Sequence, residues 1–326
     1  MNPETAQEII ACLPQGRTLF FYFKDRYALM LLRWYIGERI SIRELKQSPY
    51  AKLLNRPLLK ELVKQHGDGY LRAADLESAW PSDPHCYLLT LGTWGKEKEW
   101  RSGWSQTSRP GTNLVLQLNF SNQHNAKYQN LIDRNKRPRF GYSGHPVARE
   151  GFLTLAWARI DIDFETNEAL IEEIQSDWIA EASHGHKLLN SYGAAHREEA
   201  LERFAQWMAI DELPTQNVGT YLEKVIAPHL PIWQEAMLAA TIEFLTQEIG
   251  IRYVFFHTYE TGRRMKRIPK ETPPRSIYTQ LPKAFCLQPT AYGPDFLVRH
   301  SHKSVRAFAK REDAVFFIYD HAETAN

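Results

Sequence analysis

The chain has 326 residues, 43% hydrophobic and 24% charged, with a net charge of +2, figures expected of a soluble globular protein of one or two domains. It has no apolar run of about 18 residues that could span a bilayer, so a membrane partner is not expected. The start, MNPETAQEII, lacks a basic region followed by an apolar core, and the cysteines Cys12, Cys86 and Cys286 are few and far apart. A cytoplasmic protein without a disulfide framework is the expectation.

The small net charge hides an asymmetry. Residues 1–150 hold 22 Lys/Arg against 14 Asp/Glu, residues 151–262 hold 6 against 18, and residues 263–326 hold 12 against 6. Either the basic and acidic surfaces face each other, or a basic face awaits a polyanion.

Residues 1–80 read mostly as helix. Asp25–Gly37 shows helical apolar spacing and ends on glycine. Ser41–Gln47 carries a capping box, Ser41 with Glu44. Pro57–His66 opens on proline and stops at Gly67. Arg43, Lys46, Lys52, Arg56, Lys60 and Lys64 fall on the second and third helices. Short helices with a basic surface suggest a winged-helix-like unit that binds nucleic acid, with residues 85–326 as a separate α+β domain.

After a proline-bounded linker, Tyr87–Leu91 and Leu114–Phe120 read as strands. Between them lies a tryptophan-studded loop ending in SQTSRPGTN, whose Arg109 is a candidate to close over an anion. Ser121 caps a helix to about Asp133. NKRPR and GYSGHP, with His145, are turn-rich. Phe152–Asp163 and Ala169–Trp178 form an antiparallel hairpin. A helical insertion spans about residues 179–230. Pro231–Ile249 is the strongest helix, and Ile251–Thr258 is a central strand. The basic run RRMKR follows, then a helix near Ser276–Phe285 and strands near Cys286–Tyr292 and Val315–Tyr319.

Strand Ala169–Asp177, long helix and strand Ile251–Thr258 make a βαβ unit with parallel strands. Ligands of such sheets bind outside the carboxyl ends of the strands. Alternation puts Glu173, Gln175 and Asp177 on one face, Glu172 and Ser176 on the other. Carboxylates in a buried strand need partners or a task. Glu173 or Asp177 is the expected general base and His257 its proton partner. Gln175, Ser176, Thr258, Tyr259, Arg109 and Arg263 are the expected substrate contacts, suited to a small polar or phosphorylated ligand. His184, His186 and His196 have spacing that a metal site uses, though His-x-His alone is common. No cofactor is identified. The chain lacks G-x-x-x-x-G-K-[ST], a strand-linked G-x-G-x-x-G and G-x-S-x-G.

The string ALIEEIQSDW resembles a domain of the large polyvalent proteins of phages and conjugative elements. GHPVAREGFLTLAWARIDID, WQEAMLAATIEFLTQEIG, IRYVFFHTYETG and RSIYTQLPKAF match that domain's further pieces, over roughly residues 112–290. This resemblance implies a site and names no reaction. The order of hairpin, helix, strand, helix and strand is also similar to the acyl-CoA-dependent N-acetyltransferase fold. That likeness implies ligand entry between the two parallel strands. The glycine-rich pyrophosphate loop of that fold would precede the long helix, where this chain reads PHLPIW. The expectation is therefore an α+β group-transfer or hydrolytic enzyme of mobile-element biology. The alternative is a non-catalytic nucleic-acid-binding or regulatory protein.

Overall fold

A computed structural model describes residues 1–12, 18–95, 105–133, 138–148, 151–210, 212–266, 275–301, 303–311 and 315–321. The centre of the tryptophan-studded loop, most of NKRPR and Arg267 lie outside them.

The protein is α+β. Its strands are β1 (Thr18–Tyr22), β2 (Arg39–Ser41), β3 (Tyr70–Arg72), β4 (His85–Trp94), β5 (Asn113–Phe120), β6 (Thr154–Asp163), β7 (Glu168–Gln175), β8 (Tyr253–His257), β9 (Gln288–Thr290) and β10 (Phe316–Asp320). Eight of them form one mixed sheet in the order β1-β4-β5-β6-β7-β8-β10-β9, and β2 pairs with β3 alone. Every neighbouring pair in the large sheet is antiparallel except β7 and β8, which are parallel from Glu168↔Tyr253 to Ile171↔Phe256. The hairpin and the parallel pair therefore match the expectation from sequence. No helix among the described residues is long and apolar enough to cross a membrane.

The first eighty residues are less helical than their spacing suggests. β1 joins the edge of the large sheet. Helix Arg26–Tyr35 buries Tyr27 to Leu32, and Tyr27 stacks on Phe285 with ring centroids 4.3 Å apart. Arg26 pairs with Glu243 of the long helix at 3.1 Å, and Lys24 pairs with Glu235. The core of this segment is thus continuous with that of the rest. The Ser41–Glu44 capping box forms.

One face of the sheet carries Leu116, Leu118, Ala158, Ile160, Ile171, Val254 and Phe256 into the main core. Helix Trp233–Glu243 lies across β5, β6 and β7 on that side. It is buried nearly all round rather than along one stripe, as a helix enclosed by other elements must be. It runs on through Phe244–Glu248, and Gly250 ends it at φ +80°, a conformation that costs glycine nothing. The other face carries Leu170, Phe255 and Phe316 into a smaller cluster with Met265, Phe296, Leu297 and Val305.

Candidate functional site

The strand ALIEEIQ breaks its own alternation. Arg159 of β6 faces Glu173, but the next residue, Ile160, faces Ile171. Glu172 is the unpaired residue of a β-bulge, which re-aims side chains. The period-2 reading placed Glu172 and Glu173 on opposite faces. The bulge instead brings both carboxylates toward the loop 105–112.

They anchor a fully enclosed polar seam. Glu172 and His257 side chains have 0% exposure. Glu172 accepts from the Ser108 backbone N–H and the Ser108 hydroxyl, each at 2.8 Å. His257 Nε2 lies 3.1 Å from Glu172 Oε2 and 2.9 Å from Ser108 Oγ. Burial alone would raise the Glu172 pKa. The hydrogen bond and charge of His257, the Lys266 charge and the Ser108 N–H hold it at about 2. Burial lowers the His257 pKa below the ordinary histidine value, and the hydrogen bond and charge of Glu172 oppose that shift.

Glu173 pairs with Arg159, and Lys266 Nζ stands 3.9 Å from its Oε2. Burial raises the Glu173 pKa, but Lys266 and Arg159 bring it below the ordinary glutamate value. Lys266 also donates to the Glu172 carbonyl at 2.7 Å. Arg159 donates to the carbonyls of Ser105 (2.7 Å) and Gln106 (3.2 Å). Arg109 binds both carboxylate oxygens of Asp161, at 2.6 and 2.9 Å, and Asp163 at 3.1 Å. The Met1 amino group is 2.6 Å from Asp161 as well. Glu173 and Asp161 therefore each face a cation, and the Glu172 carboxylate is met by Ser108 and His257, the pairing and hydrogen bonding under which buried charge is tolerated.

This arrangement redistributes the residues singled out from sequence. Glu173 and His257 are buried and paired, so in this state neither reaches a ligand in solvent. The Ser108–His257–Glu172 group is not a nucleophile relay. Serine and carboxylate share Nε2, whereas a relay puts the acid on the other nitrogen; here Thr261 Oγ1 occupies Nδ1 at 3.2 Å. Arg109 is closed over two aspartates rather than open to an anion. Ser176 caps helix Asp177–Tyr192 and donates to the Leu155 carbonyl. Thr258 caps helix Tyr259–Met265 and donates to the Val315 carbonyl at 2.9 Å. Tyr259 opens that helix, with the Arg275 guanidinium 4.7 Å from its ring. Arg263 pairs with Glu260 at 3.3 Å. The basic run RRMKR is thus helical as far as Met265, and its Lys266 is part of the seam.

Gln175 and Asp177 go elsewhere. The strand ends at Gln175, and Asp177 is the first residue of a helix, not the last of the strand. Cross-strand pairing aligns Thr90, Gln117, Trp157 and Gln175 in one row over β4, β5, β6 and β7. The segment 143–148 and Phe152 stand above part of this row, enclosing a cleft of about 870 Å³ lined by Thr90, Gly92, Trp94, Gln117, His145 and Phe152, among others. Gly92 lies on its floor beside the Gln117 amide. The Thr90 hydroxyl donates to Gln117 at 2.6 Å, and Gln117 donates to the Pro146 carbonyl at 3.1 Å.

At the end of the row, His145 Nδ1 is 2.8 Å from Asp177 Oδ1, and Gln175 Nε2 donates to the same oxygen at 3.0 Å. The His145 side chain is 32% exposed and that of Asp177 13%. Asp177 Oδ2 and Trp157 Nε1 are buried without a hydrogen-bond partner among the described residues. A tautomer with Nδ1–H directed at Asp177 would leave His145 Nε2 free as a lone-pair base.

His184 packs against Trp207 at 5.2 Å between centroids, and His196 is exposed. Among the described residues no three His, Cys, Asp or Glu side chains converge as metal ligands would. Sequence reading left His145 ambiguous and passed over Ser108, Arg159 and Lys266. A charged residue inside the apolar strand FLTLAWARIDID was the available signal for Arg159. Comparison of the chain with protein-family models, curated proteins and solved structures finds no match.

Proposed function

We propose that the protein is a group-transfer or hydrolytic enzyme that takes a small polar or phosphorylated substrate into the cleft between β4, β5 and the segment 143–148. His145 is its general base, and Asp177 and Gln175 hold the ring. The observation that carries this is the 2.8 Å His145–Asp177 contact on the wall of an open polar cleft. A carboxylate-oriented imidazole accepts a proton from water or a substrate hydroxyl at Nε2 and returns it to the leaving group. The buried seam is then the scaffold that holds β7 and the 105–112 loop in register.

The finer fold reading is an acetyltransferase-like sheet. It is supported by a single parallel pair within an antiparallel order, a bulge in the first strand of that pair, and the swapped order β8-β10-β9. Coenzyme A entry between β7 and β8 is not part of the proposal, because Glu172, His257, Lys266 and Ser108 fill that gap. The assignment to phage or conjugative-element biology rests on the IEEIQSDW likeness.

The test is turnover of p-nitrophenyl acetate, p-nitrophenyl phosphate and bis(p-nitrophenyl) phosphate by the full chain and by H145Q. We expect one probe to be consumed by the parent protein and H145Q to be slower by about 10²–10⁴. No turnover of any probe, or equal rates in both proteins, overturns the proposal.

A further inference from the structure

The cleft leaves one feature of the molecule unused. Residues 39–72 hold eight Lys/Arg against Glu44, Glu61 and Asp68. All three acids are engaged locally. Glu44 closes the Ser41 capping box, Glu61 pairs with Lys64 at 2.6 Å, and Asp68 pairs with Arg72. Arg39, Arg43, Lys46, Lys52 and Lys60 are exposed, and no ion pair forms to any of them among the described residues. Five unpaired cations within one small unit raise the local potential and draw in a polyanion.

The order of elements points to the kind of polyanion. Helix Arg26–Tyr35 is followed by β2, helix Ile42–Leu45, the turn Ala51–Asn55, helix Pro57–Gln65 and β3. We read this as a winged-helix-like arrangement, in which helix Pro57–Gln65 is the one offered to a groove. Leu59 and Leu62 are its buried side. Lys60 and Lys64, one turn apart, lie on its outer side. Arg43 and Lys46, three residues apart, lie on and just after helix Ile42–Leu45. Among large apolar side chains, this unit exposes only Tyr70, with Arg39 against its ring at 5.2 Å. A surface that inserts into a bilayer carries an exposed apolar face, so a lipid headgroup layer is the poorer fit. Phosphates along a duplex match a spread of separate cations.

We infer that residues 39–72 are a docking face for the phosphate backbone of double-stranded DNA, with helix Pro57–Gln65 against the groove. This face is independent of the cleft and of the reaction proposed for it. Each cation that neutralises a phosphate releases counterions, so log K should fall against log[salt] with a slope of about −0.9 per contact.

The experiment is fluorescence anisotropy of a labelled 20-base-pair duplex of mixed sequence with the full chain, from 50 to 300 mM NaCl. Parallel arms use vesicles of phosphatidylcholine with one-third phosphatidylserine, and poly-glutamate. We expect salt-dependent duplex binding with a slope of about −3 to −5, and weaker retention in the other arms. R43E/K46E and K60E/K64E should each weaken duplex binding at least tenfold and flatten the slope by about 2, with unfolding midpoints unchanged because these side chains are exposed. K303E/R306E, elsewhere on the surface, should bind as the parent does. Absence of duplex binding at 50 mM salt, vesicles or poly-glutamate bound as tightly as the duplex, reversal variants that bind normally, or an equal loss in K303E/R306E each overturns the assignment.

Discussion

The aromatic side of the core holds histidines that acid should turn against the fold. His124 is stacked on Phe120 at 3.6 Å between ring centroids, within 6.1 Å of Trp178 and 5.9 Å of His229. Burial pushes its pKa from 6.5 to about 3, with Lys127 adding to the shift and Asn125 opposing it. His229 is also pushed to about 3 by burial, then by the neighbouring His124 and His85. A base whose folded pKa is depressed binds fewer protons folded than unfolded. Stability is therefore full above pH 6.5 and falls as the pH drops toward 3.

pH 5 lies about 1.5 units below the pKa of an unfolded imidazole, so each ring costs about 2 kcal/mol and the pair about 4. That is a large share of a typical stability of about 5–15 kcal/mol. Raised carboxylates, Glu168 and Glu235, and the raised His66 act with the opposite sign, so the parent curve alone is a mixture. The clean readout is H124F against the parent in urea unfolding at pH 7.5, 6 and 5. Phenylalanine keeps the stack, and Tyr221 keeps its 2.6 Å bond from Trp178 Nε1. H124F should gain on the parent by about 2 kcal/mol between pH 7.5 and pH 5. A difference between the two proteins that does not change with pH refutes the reasoning.

Other consequences are as direct. E173A should lose about 3–5 kcal/mol in urea unfolding, because Arg159 and Lys266 stay buried without their counter-charge; a loss under about 1 kcal/mol would mean that the seam is open to water. G185A should be less stable by about 1–3 kcal/mol, since its Cβ would stand 2.8 Å from Leu222 Cδ1 and 3.1 Å from the Phe204 ring; a stabilised variant, the outcome helix propensity alone would give, contradicts this packing. S108A should cost about 1–3 kcal/mol by leaving Glu172 one donor short, and unchanged stability would dissociate the 105–112 loop from the sheet. Diethylpyrocarbonate followed by peptide mass spectrometry should modify His145 well before His257, which has no exposure; equal rates at the two would show that the seam opens freely.

Much of the fold was legible because it depends on local periodicity. LVLQLNF alternates, IRYVFFHT is continuously apolar, Ser41 precedes Glu44 at the capping distance, and proline and glycine bracket the long helix. The β1 strand was hidden because TLFFY is short and lies in a stretch whose other spacing is helical. The candidate site was legible only in part. The string IEEIQSDW drew attention to Gln175 and Asp177, which hydrogen-bond toward His145, a residue that lines the cleft. Their partner His145 comes from a turn thirty residues earlier, and no spacing rule joins the two.

By itself, the sequence determined most element types after residue 85, the hairpin and the concentration of charge in the central strands, from neighbours a few residues apart, and the parallel pair from the strand–helix–strand order. Only the tertiary structure decided which of those charges are scaffold and which face solvent. One bulge residue at Glu172 re-aims the strand, and the 105–112 loop folds back to cover what it re-aims. Burial of a carboxylate depends on what packs above it, and the residues that pack above Glu172 and Glu173 come from distant parts of the chain.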